Sequence, residues 1–216
     1  MTYQLFYSPG ACSLAAHIVL EEVSAPFELK RVDFAAGEQR GEAFRALNPK
    51  GRVPVLVIPG EPQALTELSA ILFYLARRHP DFGLVPIGEP LAEARVEEQL
   101  SWLTSWVHGV GFALIWRPER FTDEAGAREA MAARGKAIVE TAFAAIEARL
   151  ADDRTWSMGT RFSIVDPLLL VLFRWGNRIG LAMGERYPAW SRLAWRMVDR
   201  PAVTRVLERE GVSIEG

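Results

Sequence analysis

The sequence predicts an α/β unit followed by an all-helical unit. Three observations predict it. Short apolar runs alternate with helical patterns through the first eighty residues. Pro80 to Pro90 then hold three prolines and two glycines, the composition of a linker. Beyond them every long apolar pattern has helical spacing.

The elements follow in order. Tyr3-Gln4-Leu5-Phe6-Tyr7 reads as a short aromatic strand stopped by Ser8-Pro9-Gly10. Ser13 to Val23 reads as a helix, with Leu14, His17, Ile18 and Glu21 at turn spacing. Phe27 to Val32 is a second strand. Val53 to Ile58 is a third, with Pro54 near its start, where a ladder donor is dispensable. Gln63 to Thr66 is a short fourth strand, and Leu68 to Arg78 a helix ended by His79-Pro80. The order is β-α-β, a connecting segment, then β-β-α. This divides the chain into residues 1–80, a linker at 81–90 and a helical part at 91–216. There Leu91 to Trp116 forms one long helix or two. Thr122 to Leu150 is another, striped by Met131, Val139, Ala142, Phe143, Ile146 and Leu150. Further helices fall at Val165–Ile179, Ala189–Asp199 and Ala202–Glu210. All seven tryptophans lie between Trp102 and Trp195, where they fill a core or line an apolar pocket.

Composition narrows the function. Half of the 216 residues are apolar and 24% are charged, ample for a core without disulfides or structural metal. The formal net charge is -2 with no basic block, which argues against nucleic acid as a partner. Cys12 is the one cysteine, so no internal disulfide and no cysteine zinc site can form. Met1 to Gly10 lacks the pattern of a signal peptide, and the most apolar run, Pro167 to Phe173, is too short to span a bilayer. A cytoplasmic protein away from membranes is expected.

Four motifs carry the chemistry. In Tyr7-Ser8-Pro9-Gly10-Ala11-Cys12-Ser13-Leu14 a thiol falls where a helix begins. Unpaired N–H groups and the positive dipole end there favour a thiolate and lower its pKa. The competing reading is a small buried core cysteine. In Asn48-Pro49-Lys50-Gly51-Arg52-Val53-Pro54, Val53-Pro54 is a candidate cis peptide that would turn the Val53 backbone outward to pair with an extended peptide. In Leu65-Thr66-Glu67-Leu68-Ser69, Glu67 opens a helix, either as a capping acid or as the counter-ion of a ligand ammonium. Ser163-x-x-Asp166, after Phe162, has capping-box spacing and is a folding signal.

In this order, with Tyr187-Pro188-Ala189 and Arg200-Pro201-Ala202-Val203 near the end, the motifs resemble the glutathione transferase superfamily, most closely its bacterial beta class. The resemblance covers nearly the whole chain. It implies a thioredoxin-like first domain that binds glutathione as co-substrate without metal, and a helical second domain that holds an apolar electrophile. Carried over by motif, Cys12 lies beside the glutathione sulfur. Val53 pairs through its backbone with the cysteinyl part, Pro54 is cis, and Glu67 holds the γ-glutamyl amino group. Tyr7 and Ser13 are secondary donors to the thiol. His108 occupies the place of a family histidine, although Gly109 stands where relatives often have lysine. Ser101, Ser105, His108 and Phe112 share one α-helical face, which adds Ser105 to the peptide's contacts.

One departure stands out. Relatives usually place serine after Thr-Glu to bind the γ-glutamyl carboxylate; here that residue is Leu68, and Ser69 lies about 100° round the helix. The lost hydrogen bond is worth about 1.5–3 kcal/mol, which predicts weaker glutathione binding or another thiol. The resemblance implies transfer of glutathione to electrophilic carbon in detoxification, by a homodimer. Its rivals are glutathione-dependent thiol–disulfide exchange through Cys12, and a non-catalytic interaction protein with impaired glutathione binding. The transferase reading expects the Cys12 sulfur to face an open groove; a sulfur walled into the interior would leave only the fold.

Overall fold

The structure, a computed structural model, describes residues 2–216; Met1 lies outside the described residues. Strand β1 (Tyr3–Tyr7) leads into helix α1 (Ser13–Glu22) and strand β2 (Phe27–Arg31). Helix α2 (Glu42–Leu47), β3 (Val55–Val57), β4 (Leu65–Thr66) and α3 (Leu68–Arg78) follow. The sheet order is β2-β1-β3-β4. β1 runs parallel to β2, with Leu5 opposite Leu29, and antiparallel to β3, with Leu5 opposite Leu56. β3 and β4 are antiparallel. This is a thioredoxin-like sheet.

Alternation along β1 assigns the two faces. Tyr3, Leu5 and Tyr7 enter the main core with α1 and α3, while Phe6 joins Phe44 of α2 and Val55 in a smaller cluster beneath. Strands β3 and β4 are shorter than their apolar runs suggest. Helix α2 gave no sequence signal, because six residues with one buried anchor, Phe44, carry no readable period.

The helical part begins with α4 (Pro90–Trp102), which continues without a break through a π-helical stretch, Leu103–Phe112, into α5 (Ala113–Trp116). Helix α6 (Arg128–Leu150) crosses this stretch closely. A Cβ at Gly135 would lie 2.7 Å from the Gly111 carbonyl oxygen, so glycine is required at the crossing. Helix α7 (Val165–Arg178) is buried from Val165 to Gly176 and packs on α1. α8 (Met183–Arg186), α9 (Pro188–Val198) and α10 (Pro201–Glu210) close the bundle. One apolar cluster runs from β1, α1 and α3 into α7, α9 and α10, so the two halves share a core.

The box before α7 forms as its spacing predicts. Asp166 accepts the Ser163 backbone N–H at 2.7 Å and the Ser163 hydroxyl at 2.9 Å, while Ser163 Oγ accepts the Val165 N–H. Asp166 also takes the Ser157 N–H at 2.9 Å. Phe162 packs edge-on against Trp156 beneath the Arg200 guanidinium. No described helix is long and apolar enough to cross a membrane.

Candidate active site

The turn Ser8–Ala11 delivers Cys12 to the start of α1, as the sequence predicts, but the environment differs. Cys12 is 8% exposed, and its thiol donates to the Val53 carbonyl oxygen at 3.5 Å. Burial pushes its pKa up to about 12, and the Glu67 charge adds to the rise. The N–H groups of Cys12 and Ser13 and the Arg52 charge pull the other way and lose. The expected thiolate is therefore overturned: desolvation outweighs the helix terminus, and the small-core-cysteine reading describes this sulfur. That removes Cys12 as an ionised nucleophile: the open groove expected at this sulfur is not found, and any transferase reading has to rest on other groups. Its neighbours Arg52 and Glu67 are exposed.

Tyr7 and Ser13 are engaged elsewhere than in the expected donor role. Tyr7 faces the core, 6.1 Å from the His17 ring, and burial followed by the Glu210 charge raises its pKa. Ser13 is fully buried; its hydroxyl accepts the Ser8 N–H at 3.2 Å and faces the Ser8 carbonyl at 3.3 Å, tying off the turn.

Val53-Pro54 is cis. Asn48 sets the approach to it: its amide donates to the Arg52 carbonyl at 2.7 Å, and its Oδ1 accepts the Lys50 N–H. Lys50 Nζ reaches Glu67 Oε1 at 2.5 Å and the Thr66 hydroxyl at 2.8 Å, so Glu67 already carries a cation. Glu67 has φ +71°, a left-handed conformation unusual for a side chain larger than glycine, and concentrated at functional sites. No side chain caps α3, so its first N–H groups remain available to an anion. Leu68 is 7% exposed and belongs to the main core. Its side chain is a packing residue rather than a blank in a ligand contact. Ser69, one position on, is half-buried.

His108 lies in the π-helical stretch, where α-helical face counting fails. Ser105 is exposed, and its hydroxyl bonds back to the Ser101 carbonyl at 2.6 Å; Phe112 is buried. The α-helical spacing that grouped Ser101, Ser105, His108 and Phe112 does not apply through this stretch, where the winding is i→i+5, and the four differ in burial from exposed Ser105 to buried Phe112. His108 stacks on Trp175 at 5.2 Å and 28°. Burial, then the charges of Arg52 and Arg120, hold its pKa down at about 4; Glu67 acts in the opposite sense. At neutral pH it is an uncharged imidazole. Cys12 and His108 both feel the charges of Arg52 and Glu67.

Several functional neighbours escaped the motifs. Trp175 Nε1 donates to the Gly10 carbonyl at 2.9 Å while its ring carries His108, so one side chain joins the turn before Cys12 to the helical part. Gly10 N–H is accepted by Glu210 Oε2 at 2.8 Å, and Glu210 Oε1 pairs with His17 Nδ1 at 2.8 Å, both side chains being fully buried. Arg52 and Arg120 occupy positions with no diagnostic spacing.

Residues 1–77 match the family model described as the glutathione S-transferase N-terminal domain, and residues 103–201 that of the C-terminal domain. The chain is 33% identical to glutathione S-transferase GstA of Escherichia coli O157:H7, over 97% of this chain and 99% of the relative. A glutathione transferase homologue from Sulfitobacter, solved with bound glutathione, superposes with a TM-score of 0.89 at 32% identity, covering 96% of this chain and 98% of its own. A bacterial beta-class glutathione S-transferase from Sphingomonas chungbukensis superposes with a TM-score of 0.82 at 34% identity, covering 97% and 100%.

Proposed function

The chain belongs to the glutathione S-transferase family, and from that premise we propose that it conjugates glutathione to apolar electrophiles, with the peptide's own thiol as nucleophile. The observation that carries this reading is the meeting of three elements: the Cys12 thiol at the start of α1 bonds the Val53 carbonyl of the cis Val53-Pro54 segment, and β3, which follows it, pairs with β4 directly ahead of Glu67 and the uncapped start of α3. An extended peptide would pair with Val53, seat its ammonium on Glu67 by displacing Lys50, and offer a carboxylate to the first N–H groups of α3, including that of Leu68. Ser69 and Ser105 stay peripheral. We assign residues 1–80 to the peptide and residues 91–216, beyond the 81–90 linker, to the electrophile. The assembly proposed is a homodimer.

The chemistry follows from the charges. A thiolate beside the α1 terminus gains from the Cys12 and Ser13 N–H groups and from Arg52 and Arg120; each unit by which its pKa falls corresponds to about 1.4 kcal/mol. His108, being neutral, exchanges a hydrogen bond with the sulfur rather than an ion pair. Thiol–disulfide exchange through Cys12 draws no support, because a buried thiol with a raised pKa is a poor nucleophile.

The test is a conjugation assay with chlorodinitrobenzene, alongside calorimetric titration of glutathione. Saturable glutathione binding, with conjugation that falls at least tenfold in His108→Ala while binding persists, is the expected pattern. Absence of both binding and conjugation would refute the reading.

A further inference from the structure

A cavity of about 670 Å³ lies between the turn at Gly10, the carboxyl ends of α7 and α10, and the tail, a size that suits a small molecule. Cys12, Val53, Glu67 and His108 are not among the residues that line it. Val198, Leu207 and Val212 give it apolar walls, buried or half-buried, and Gly10 gives it an edge. One charge of each sign stands at its rim, Arg178 and Glu208, both exposed. The charge that distinguishes it is deeper. Arg174 lines the same cavity at 5% exposure, the only buried arginine or lysine among the described residues.

The partners of that guanidinium are neutral. Its Nε donates to the Ser213 carbonyl, and its Nη1 approaches the Gly10 carbonyl at 3.5 Å, the outer limit of a hydrogen bond. Nη2 has no hydrogen-bond partner among the described residues. The Glu210 charge favours that of Arg174, but its two oxygens are taken, one by the Gly10 N–H at 2.8 Å and one by His17 at 2.8 Å. The chain's other arginines are at least partly hydrated. Arg174 is not, and the cavity is the side from which an anion can reach it. A buried cation with carbonyl partners alone gains more from a carboxylate than a hydrated one does. We propose that this cavity binds a small apolar carboxylate, its charged end against Arg174 and its apolar body against Val198, Leu207 and Val212. A planar guanidinium suits a carboxylate in particular. Such a site is separate from the place proposed for glutathione and exists whatever reaction is carried out there.

The experiment titrates 1-naphthoate and its neutral counterpart 1-naphthamide into the native protein by calorimetry. Naphthoate should bind saturably and about ten- to a hundredfold more tightly than naphthamide, the worth of a hydrogen bond to a charged group. The preference should fall towards one in Arg174→Gln and be partly restored in Arg174→Lys. Thr204 is exposed on α10 at the cavity wall and leaves the guanidinium untouched. Thr204→Trp fills the space and should weaken both probes at least tenfold. Saturating S-hexylglutathione should leave the naphthoate affinity unchanged. No saturable binding, or a preference near one in the native protein, would overturn the proposal. So would an unchanged preference in folded Arg174→Gln, or unchanged binding in Thr204→Trp. Displacement of naphthoate by S-hexylglutathione would also overturn it, by placing the probe beside the glutathione sulfur. Arg174 holds the tail as well, so where Arg174→Gln does not fold, Thr204→Trp with its intact guanidinium decides.

Discussion

Replacing Glu210 by alanine should destabilise the protein by about 2–6 kcal/mol, the combined cost of the two buried groups it would leave unpaired. The magnitude follows from what the carboxylate holds. Its Oε2 is the acceptor of the Gly10 N–H, which would be left buried and unpaired at about 1–3 kcal/mol. Its Oε1 holds His17 Nδ1; His17 Nε2 already has no partner, so the variant would leave a fully buried imidazole with neither nitrogen satisfied, at about 1–3 kcal/mol more. Arg174, 5% exposed, also loses the anion that favours its charge. Glu210→Gln keeps an acceptor for Gly10 and an amide for His17, and should lose less than half as much. Equilibrium urea unfolding at one protein concentration and one pH measures both variants. A loss below about 1 kcal/mol in Glu210→Ala, or equal losses in the two, would show that this network does not hold the turn. Glutathione affinity should weaken alongside stability, since Gly10 lies two residues before Cys12.

Three other outcomes are open to measurement. The Cys12 thiol, at about 12 rather than its ordinary value of 9.0, should react with iodoacetamide at neutral pH about a thousandfold more slowly than a free cysteine, and Cys12→Ala should keep most of its conjugating activity; rapid alkylation would contradict the burial. The His108 imidazole should titrate near pH 4 by NMR. Its folded pKa is depressed, so stability falls as pH drops from about 6.5 towards about 4, by on the order of 3 kcal/mol at most, and the substitution His108→Asn should flatten that slope. Leu68→Ser should cost about 2–4 kcal/mol of stability, because the side chain is core, and should fail to raise glutathione affinity tenfold; a tenfold gain would return Leu68 to the ligand.

The parts of the fold set by local chemistry were readable from sequence. Proline and glycine marked the turns after β1 and α3, and Ser163 with Asp166 marked the start of α7. The cis Val53-Pro54 bond was only a candidate on its motif, and the family resemblance made it the expectation. What could not be read depends on distance or burial. Cys12 has the sequence context of an activated thiol, yet desolvation decides its state, and burial is a property of the assembled core. Face counting at Ser105 assumed α-helical winding, and the stretch is π-helical. Trp175, Glu210, Arg52 and Arg120 reach the site from separate elements, and no spacing rule links residues that only tertiary packing makes neighbours.

Gly10 commits both of its backbone polar groups to the far end of the chain: its N–H to Glu210 of the last helix, its carbonyl to Trp175 and Arg174 of α7. Arg174 and Asn177 in turn hold the Ser213 and Ile214 carbonyls of the tail. A tag, truncation or swapped terminal segment at the carboxyl end is thus mechanically coupled to the turn before Cys12. Exchanging helical halves between relatives would succeed only where the donor brings its own acceptor for that N–H and its own donor for that carbonyl.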